Sequence, residues 1–170
     1  EWNRKHAIKF VFIKVFPNNN LTKVLEKNGF YYVGNEFTLS RSLSLADLKE
    51  KTDSRVRFLR KNDVSELLRI AENVSWIGRF HADSNIGKKE ANQLYVNWLS
   101  NGTKRDDVKV TVLEVDSKPA GFILWSIQDL CQGNKTFIVG NQELVAIDPK
   151  IRGKGYGKII YRETLTQMQK

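Results

Sequence analysis

The chain has 170 residues, of which 41% are hydrophobic and 28% charged, and it contains only three prolines. This composition excludes a disordered or low-complexity protein and is sufficient for one domain with a substantial core. One cysteine, Cys131, and two histidines exclude an internal disulfide framework and a multi-cysteine zinc site. Because no apolar run reaches the roughly 18 residues of a membrane span and no signal peptide pattern is present, we expect a cytoplasmic protein without a membrane span.

The net charge is +9, and its distribution along the chain is uneven. Residues 150–170 hold six basic residues and one acidic residue, whereas the central residues 53–149 hold equal numbers of each. A nucleic-acid-binding protein is expected to carry its basic residues along a groove or helix. The concentration of charge near the end therefore favours a local anion site over nucleic-acid binding.

The first part of the chain is predicted to form a strand, a helix and a second strand. Residues 8–16 and 30–43 are rich in β-branched and aromatic residues, and Leu21–Lys27 lies between them as a short helix that ends at Asn28 and Gly29. Residues 46–53 are polar and charged without a clear period, and we expect a linker there.

The second part, residues 54–170, is predicted to be α+β. The expected elements are a strand at Val56–Phe58, a helix after Asn62, a helix over Lys88–Ser100, a hairpin of Val108–Val115 with Ala120–Ile127, a strand at Glu143–Ile147 and a helix over Gly157–Met168. This order predicts a mixed, mostly antiparallel sheet flanked by helices. A turn is expected over Gln128–Asn134, around Cys131.

The segment between the last predicted strand and the last helix carries the clearest functional pattern. Arg152, Gly153, Gly155 and Gly157 alternate with Lys150, Lys154 and Lys158, just before the helix begins. Glycines permit close approach of a ligand, and a helix N-terminus attracts anions, so this loop predicts a phosphate site. The dinucleotide fingerprint and the P-loop both require other spacings, and Ile159 stands where a P-loop has serine or threonine.

The pattern Arg-x-x-Gly-x-Gly at Arg152, Gly155 and Gly157, after the strand ELVAIDP, resembles the GNAT superfamily of N-acetyltransferases. The resemblance covers residues 54–170 and implies a GNAT-like fold that binds acetyl-CoA as a cosubstrate, with no metal. It implies that the cosubstrate contacts Leu144, Val145, Ala146, Arg152, Gly153, Lys154, Gly155, Tyr156, Gly157 and Lys158.

The same resemblance implies direct transfer of an acetyl group to the primary amine of a small molecule. Glu143 is the candidate base, acting through water, and backbone near Leu144 and Ala146 would hold the pantetheine arm. The family's general acid, a tyrosine, and its fifth strand are expected beyond residue 170, so we expect the chain to be truncated at its C-terminus.

A weaker resemblance concerns the acceptor. The stretch SWIGRFHAD, at residues 75–83, and the following helix resemble acetyltransferases that act on nucleotide-linked amino sugars, such as the TDP-fucosamine group. It implies that Arg79 and His81 bind the acceptor, although the residues themselves favour a reading in which Phe80 and Trp76 anchor the loop while Arg79 and His81 face solvent. It also implies that residues 1–45 are the tail of an N-terminal α/β unit ahead of the transferase domain.

Two other functions remain open at this stage. The domain could be a non-catalytic CoA-binding or regulatory module, since a family fold does not by itself imply activity. The net charge also leaves a nucleic-acid binder as a less favoured alternative, which predicts binding with a steep salt dependence.

Overall fold

A computed structural model describes residues 10–16, 19–44 and 52–169, and these fall into two units, one up to Asn35 and one from Glu36. In the first unit, helix α1 spans Asn19–Lys27. Gly29, with a φ of 83°, ends it: the amide of Phe30 donates to the carbonyl of Leu25, and the amide of Gly29 to that of Glu26.

The two strands predicted in this first part are not formed within the described residues, and those predictions were wrong there. Residues 10–16 and 30–43 carry no strand assignment, although their composition favours extended structure. A strand requires a regular ladder with a neighbouring strand, and β propensity alone does not provide one. Residues 8 and 9 and most of the predicted linker, 46–51, lie outside the described residues.

The second unit contains four strands and four α-helices among its described residues. In chain order they are β1 (Val56–Phe58), α2 (Val64–Asn73), α3 (Arg79–Ala82), α4 (Lys88–Gly102), β2 (Val108–Val115), β3 (Lys118–Gln132), β4 (Lys135–Ile147) and α5 (Tyr156–Met168). Short 3-10 turns at Lys61–Asp63 and Pro149–Ile151 precede α2 and follow β4.

The strands form one sheet in the order β1-β2-β3-β4, and every described pairing is antiparallel. Asp116 and Ser117 make the two-residue turn between β2 and β3, both with positive φ. The next hairpin turns at Gly133 and Asn134, so the turn predicted over Gln128–Asn134 was placed too early and Cys131 lies in β3, opposite Thr136.

The sheet has a helical layer on each face. Helices α2 and α4 pack on one face through Leu67, Ile70 and Leu99, which are fully buried against Phe122 and Leu124. On the other face Ile160 of α5 packs against residues that include Ile123 and Trp125. Packing on both faces of the sheet buries alternate residues of β3 on opposite sides and fixes the strand register.

An ion-pair network joins β1 to β2 at the sheet edge. Arg57 contacts Asp63 at 2.7 Å and Glu114 at 2.6 Å, and its side chain is only 16% exposed. Asp63 also accepts a hydrogen bond from the amide of Arg60. The hydrogen bond from Arg57 is the main cause that lowers the pKa of Asp63, against the opposing effect of burial.

Candidate active site

The loop between β4 and α5 folds into a tight path because of two glycines in the left-handed region. Gly153 has a φ of 79° and Gly155 a φ of 80°, and Gly155 is the residue immediately before helix α5. Few side chains tolerate this conformation. The loop therefore delivers the chain to the N-terminus of a 13-residue helix, where unpaired amides and the helix dipole favour an anion.

A buried aspartate fixes the start of this loop. Asp148 accepts a hydrogen bond from the amide of Lys150 at 2.9 Å and contacts Arg69 of α2 at 2.9 Å. Arg69 is also paired with Glu66 on its own helix. Burial of Asp148 opposes ionisation, but the amide of Lys150 and the guanidinium of Arg69 outweigh it and keep the pKa of Asp148 below its usual range.

A groove of about 440 Å³ lies beside the loop. One side is formed by the last residues of β4 and by the glycine loop, and the other by the segment that follows α2. The lining residues are Val74, Ser75, Trp76, Ile77, Val145, Ala146, Ile147, Ile151, Arg152, Gly153, Gly155, Tyr156 and Gly157.

The groove brings together most of the residues predicted to bind the cosubstrate. Val145, Ala146, Arg152, Gly153, Gly155, Tyr156 and Gly157 line it. Leu144, Lys154 and Lys158 do not: the side chain of Leu144 lies in the core, and both lysines are exposed beside the loop. The exposed Arg152 donates to the carbonyl of Ile147 at 3.2 Å, which places its guanidinium close to the end of β4.

Strand β4 is the outermost strand of the described sheet. It pairs with β3 along one edge, and its other edge faces no strand among residues 52–169. Near the groove its side chains alternate, with Ala146 buried and Val145 47% exposed. A thin, extended ligand could therefore run along this end of β4.

Glu143 lies at an irregularity of the sheet. Trp125 pairs with Gln142 and Leu124 pairs with Leu144, so Glu143 is the extra residue of a β-bulge. Its carboxylate accepts from Trp98 at 3.4 Å and Arg105 at 3.0 Å, both at Oε2, and from Ser126 at 3.2 Å, at Oε1. Its side chain is 9% exposed.

Arg79 and His81 lie on the short helix α3. Arg79 contacts Glu36 at 3.4 Å, with its guanidinium over the Phe80 ring. His81 Nε2 lies 2.8 Å from Asn92 Oδ1, and the ring stacks on Tyr95. The structure thus places both predicted acceptor residues away from the groove lining.

Tyr95 connects the histidine to the groove. Its ring also stacks on Trp76 with centroids 4.5 Å apart, and Trp76 lines the groove. Tyr95 is buried, and that burial raises the pKa of its hydroxyl. His81 is therefore linked to the lining of the groove through two stacked rings, those of Tyr95 and Trp76.

Sequence reasoning missed the second wall of the groove and the residues that hold the predicted site. The segment Val74–Ile77 carries Ile77, which is 97% exposed at the groove, and an exposed aliphatic residue beside Trp76 at a helix end was the available signal. Arg69 and Arg105 gave no signal of a role, because each acts on a residue distant in the sequence.

The chain belongs to the acetyltransferase (GNAT) family, because the sequence model of that family matches residues 68–170, which are more than half of the chain. No curated protein matched the sequence. The antiparallel sheet flanked by helices agrees with the α+β fold predicted from the sequence.

Solved structures with this fold are distant in sequence. A tetramutant of the BH1408 protein from Bacillus halodurans is similar with a TM-score of 0.52 and 14% identity, over 67% of this chain and 74% of that chain. A GNAT family acetyltransferase from Brucella melitensis in complex with acetyl-CoA has a TM-score of 0.46 and 22% identity, over 67% of each chain. The aminoglycoside 6'-N-acetyltransferase AAC(6')-IG from Acinetobacter haemolyticus has a TM-score of 0.46 and 14% identity, over 67% of this chain and 70% of that chain.

Two further observations concern residues 10–16, 19–44 and 52–169. None of their helices is both long enough and apolar enough to cross a membrane. No three metal-ligating side chains among them come together as a candidate metal site.

Proposed function

We propose that this chain transfers an acetyl group from acetyl-CoA directly to the primary amine of a small molecule. The observation that carries the proposal is the groove at the end of β4, which combines a glycine loop, a helix N-terminus and the guanidinium of Arg152. Loop amides and Arg152 suit the diphosphate of CoA, and the edge of β4 that faces no strand among residues 52–169 suits its extended arm.

The transfer requires a base for the attacking amine. As the C–N bond forms and the C–S bond breaks, the amine loses a proton and the departing thiolate gains one. A carboxylate has about four acceptor positions, and the three donors that the described residues supply to Glu143 occupy both positions on Oε2 and one on Oε1. Glu143 is therefore proposed to accept the proton through a water molecule. Along β4, the backbone of Glu143 lies about 7 Å from that of Val145, which lines the groove.

The acceptor is proposed, more narrowly, to be a nucleotide-linked amino sugar. Arg79 and His81 would bind it, and the stacked rings of Tyr95 and Trp76 would hold this part of the site against the groove. An arginine suits a nucleotide phosphate, and a histidine suits a sugar hydroxyl.

A second candidate function is a CoA-binding or regulatory module without turnover. The observation that favours it is the engagement of Glu143 by three donors, one of them an arginine at 3.0 Å. This candidate predicts binding of acetyl-CoA without transfer to any amine.

Calorimetric titration with acetyl-CoA tests the cosubstrate site. We expect saturable binding by the parent chain and at least a tenfold loss in Arg152→Ala, since a charge-assisted phosphate contact contributes about 1.5–3 kcal/mol. Lys109→Ala, which removes an exposed charge on β2, is the matched control and should bind like the parent. Equal affinity in all three chains would refute the site.

Acetyl transfer to a panel of amines then separates the two candidates. Product formation with an amino-sugar nucleotide, reduced in Arg79→Ala, would support the narrower acceptor proposal. Transfer to other small amines alone would support the transferase and refute that acceptor. Binding without transfer to any amine would support the module.

A further inference from the structure

The groove beside the loop has a charged end and an apolar end. Among the described residues that line it, only Arg152 is charged, and it lies with the glycine loop before α5. The rest of the lining is largely apolar on both sides: Val74, Trp76 and Ile77 belong to the segment after α2, and Val145, Ala146 and Ile147 to the end of β4. A ligand that fits both ends carries an anion at one end and an apolar group at the other.

The apolar end lies toward Glu143. Strand β4 runs from Glu143 past Val145 into the loop, so a CoA thioester with its diphosphate at the loop extends its arm back along β4 toward Glu143. On the other side of the groove, Trp76 stacks on Tyr95, which stacks in turn on Trp98 with centroids 6.4 Å apart. The indole of Trp98 donates to Glu143 at 3.4 Å. The segment that carries Trp76 is therefore joined to the end of the groove at which an acyl group would lie.

Ile77 extends into this end of the groove with almost no cover. Its side chain is 97% exposed, whereas both of its neighbours in the sequence are fixed. The indole of Trp76 donates to the carbonyl of Ala71 at 2.8 Å. Gly78 packs so closely against the hydroxyl of Tyr95 that a Cβ there would collide with it. Ile77 is thereby held out between two anchored residues, and a ligand in the groove would cover its apolar surface.

We propose that the groove binds CoA thioesters whose acyl group is longer than acetyl, and that Ile77 and Val145 hold the alkyl chain from opposite sides. This inference rests on the CoA site of the proposed function and extends it to the class of acyl group. Val145, which is 47% exposed, presents the matching apolar surface on β4. An acetyl group ends in a single methyl and covers little of these side chains, whereas each further methylene removes more apolar surface from water.

The affinity should therefore rise with the length of the acyl chain. Burial of one methylene corresponds to a gain in affinity of about threefold to fourfold. Butyryl-CoA has two methylenes more than acetyl-CoA, so we expect it to bind about tenfold more tightly. A groove that contacts only the diphosphate and the pantetheine arm would bind both thioesters equally.

The test is calorimetric titration of the parent chain and three variants with free CoA, acetyl-CoA and butyryl-CoA. Ile77→Ser and Val145→Thr each replace one of the two apolar surfaces, and Val145→Thr keeps the branched shape that suits a strand. Ile138→Ser is the matched control, because Ile138 is a 77% exposed isoleucine of β4 that does not line the groove. Circular dichroism verifies that each variant folds, and Ile77→Ser removes almost no buried surface.

The deciding quantity is the ratio of the dissociation constant for acetyl-CoA to that for butyryl-CoA. We expect a ratio of about ten in the parent chain and in Ile138→Ser, and a ratio below about three in Ile77→Ser and Val145→Thr. A ratio near one in the parent chain, or a ratio near ten in either groove variant, would overturn the proposal. An equal fall of the ratio in Ile138→Ser would overturn it as well.

The outcomes also separate this inference from the proposed function. If the parent chain binds no CoA thioester, the CoA site is refuted and this inference falls with it. If it binds acetyl-CoA and butyryl-CoA equally, the CoA site stands and only the longer acyl group is refuted. A parent chain that prefers butyryl-CoA but acylates no amine would refute the transferase and uphold this inference.

Discussion

At the scale of single residues, two glycines around the start of α5 differ in the backbone conformation that they adopt. Gly155 needs its left-handed conformation to begin α5, whereas Gly157 lies within the helix without a positive φ. A Cβ at either position would meet open space, so the difference is one of backbone conformation. Alanine is disfavoured in the left-handed region by about 1–2 kcal/mol and favoured over glycine in a helix.

We therefore expect opposite effects of the same substitution at these two positions. Gly155→Ala should lower the free energy of unfolding by about 1 kcal/mol and weaken acetyl-CoA binding roughly tenfold, because the loop must change its path. Gly157→Ala should raise the free energy of unfolding by up to about 0.5 kcal/mol and retain binding. Urea unfolding and calorimetry measure both, and similar effects of the two substitutions would contradict this account.

Residue-level contacts mark the limit of what this sequence predicts. The glycine loop was predictable because its residues are consecutive and its pattern reflects local backbone chemistry. The donors to Glu143 were not, because Trp98, Arg105 and Ser126 lie 45, 38 and 17 positions away in the sequence. The role proposed for Glu143 thus depends on tertiary contacts that no local pattern encodes.

At the scale of elements, helix α2 is tied to the candidate site by one ion pair. Arg69 reaches from α2 to Asp148, and Asp148 in turn holds the first turn of the loop. Neither residue lines the groove. The contact with Asp148 therefore gives Arg69 a route to ligand binding through the position of the loop.

Removal of this contact should weaken ligand binding from outside the groove. We expect Arg69→Met to reduce acetyl-CoA affinity several-fold, because Asp148 loses its guanidinium partner, with a loss of about 1 kcal/mol in stability. Asp148→Asn combined with Arg69→Met should add little, since the two residues act as a pair. Glu66→Gln, which leaves the Arg69–Asp148 contact in place, is the control, and a comparable loss of affinity in it would assign the effect to α2 as a whole.

The long hairpin shows why some elements escaped prediction. The strand of residues 108–115 was predicted in its observed position because its apolar residues alternate. The strand predicted at residues 143–147, from a run of apolar residues, is only the last part of β4. Residues 128–134 contain glutamine, aspartate, glycine and asparagine, so their pattern indicated a turn, and no strand was predicted over residues 135–142. Pairing of Leu130 with Phe137 across the strands, rather than burial, extends the hairpin there.

At the scale of the whole molecule, the fold class followed from the order of elements, because helices, then a hairpin, then a strand and a helix allow few arrangements. The first 44 residues were predicted only in part: the helix that ends at Lys27 is formed, whereas the two predicted strands are not formed where the structure describes them. Fold prediction succeeded where periodic burial was strong and failed where only residue preference was available.

Acid stability is a property of the whole domain, and one carboxylate has a defined part in it. Arg55 forms a bidentate pair with Asp53, and its hydrogen bond is the main cause that lowers the pKa of Asp53 from 3.8 to about 2. A carboxyl whose folded pKa is depressed stabilises the fold above its unfolded pKa. This contribution is lost as the pH falls from about 4 toward 2.

We expect Asp53→Asn to be less stable than the parent at pH 5 and to lose less stability as the pH falls to 2. The difference in unfolding free energy between the two chains should therefore shrink across this range, as measured by urea titrations at several pH values. Arg55→Gln should reduce the pH dependence in the same way. A constant difference between parent and Asp53→Asn would show that the ion pair does not persist in solution.

The order of the sheet also has a consequence for folding kinetics. Strands β2, β3 and β4 are joined by two-residue turns, whereas three helices lie between β1 and β2 in the sequence. The ion-paired residues Arg57 and Glu114 are accordingly 57 positions apart. Closing a loop of that length costs roughly 3–4 kcal/mol of chain entropy, which the short hairpins avoid. We therefore expect strand β1 to be the last to join the sheet and the first to exchange its amide protons, and the meander of β2–β4 to be the folding nucleus.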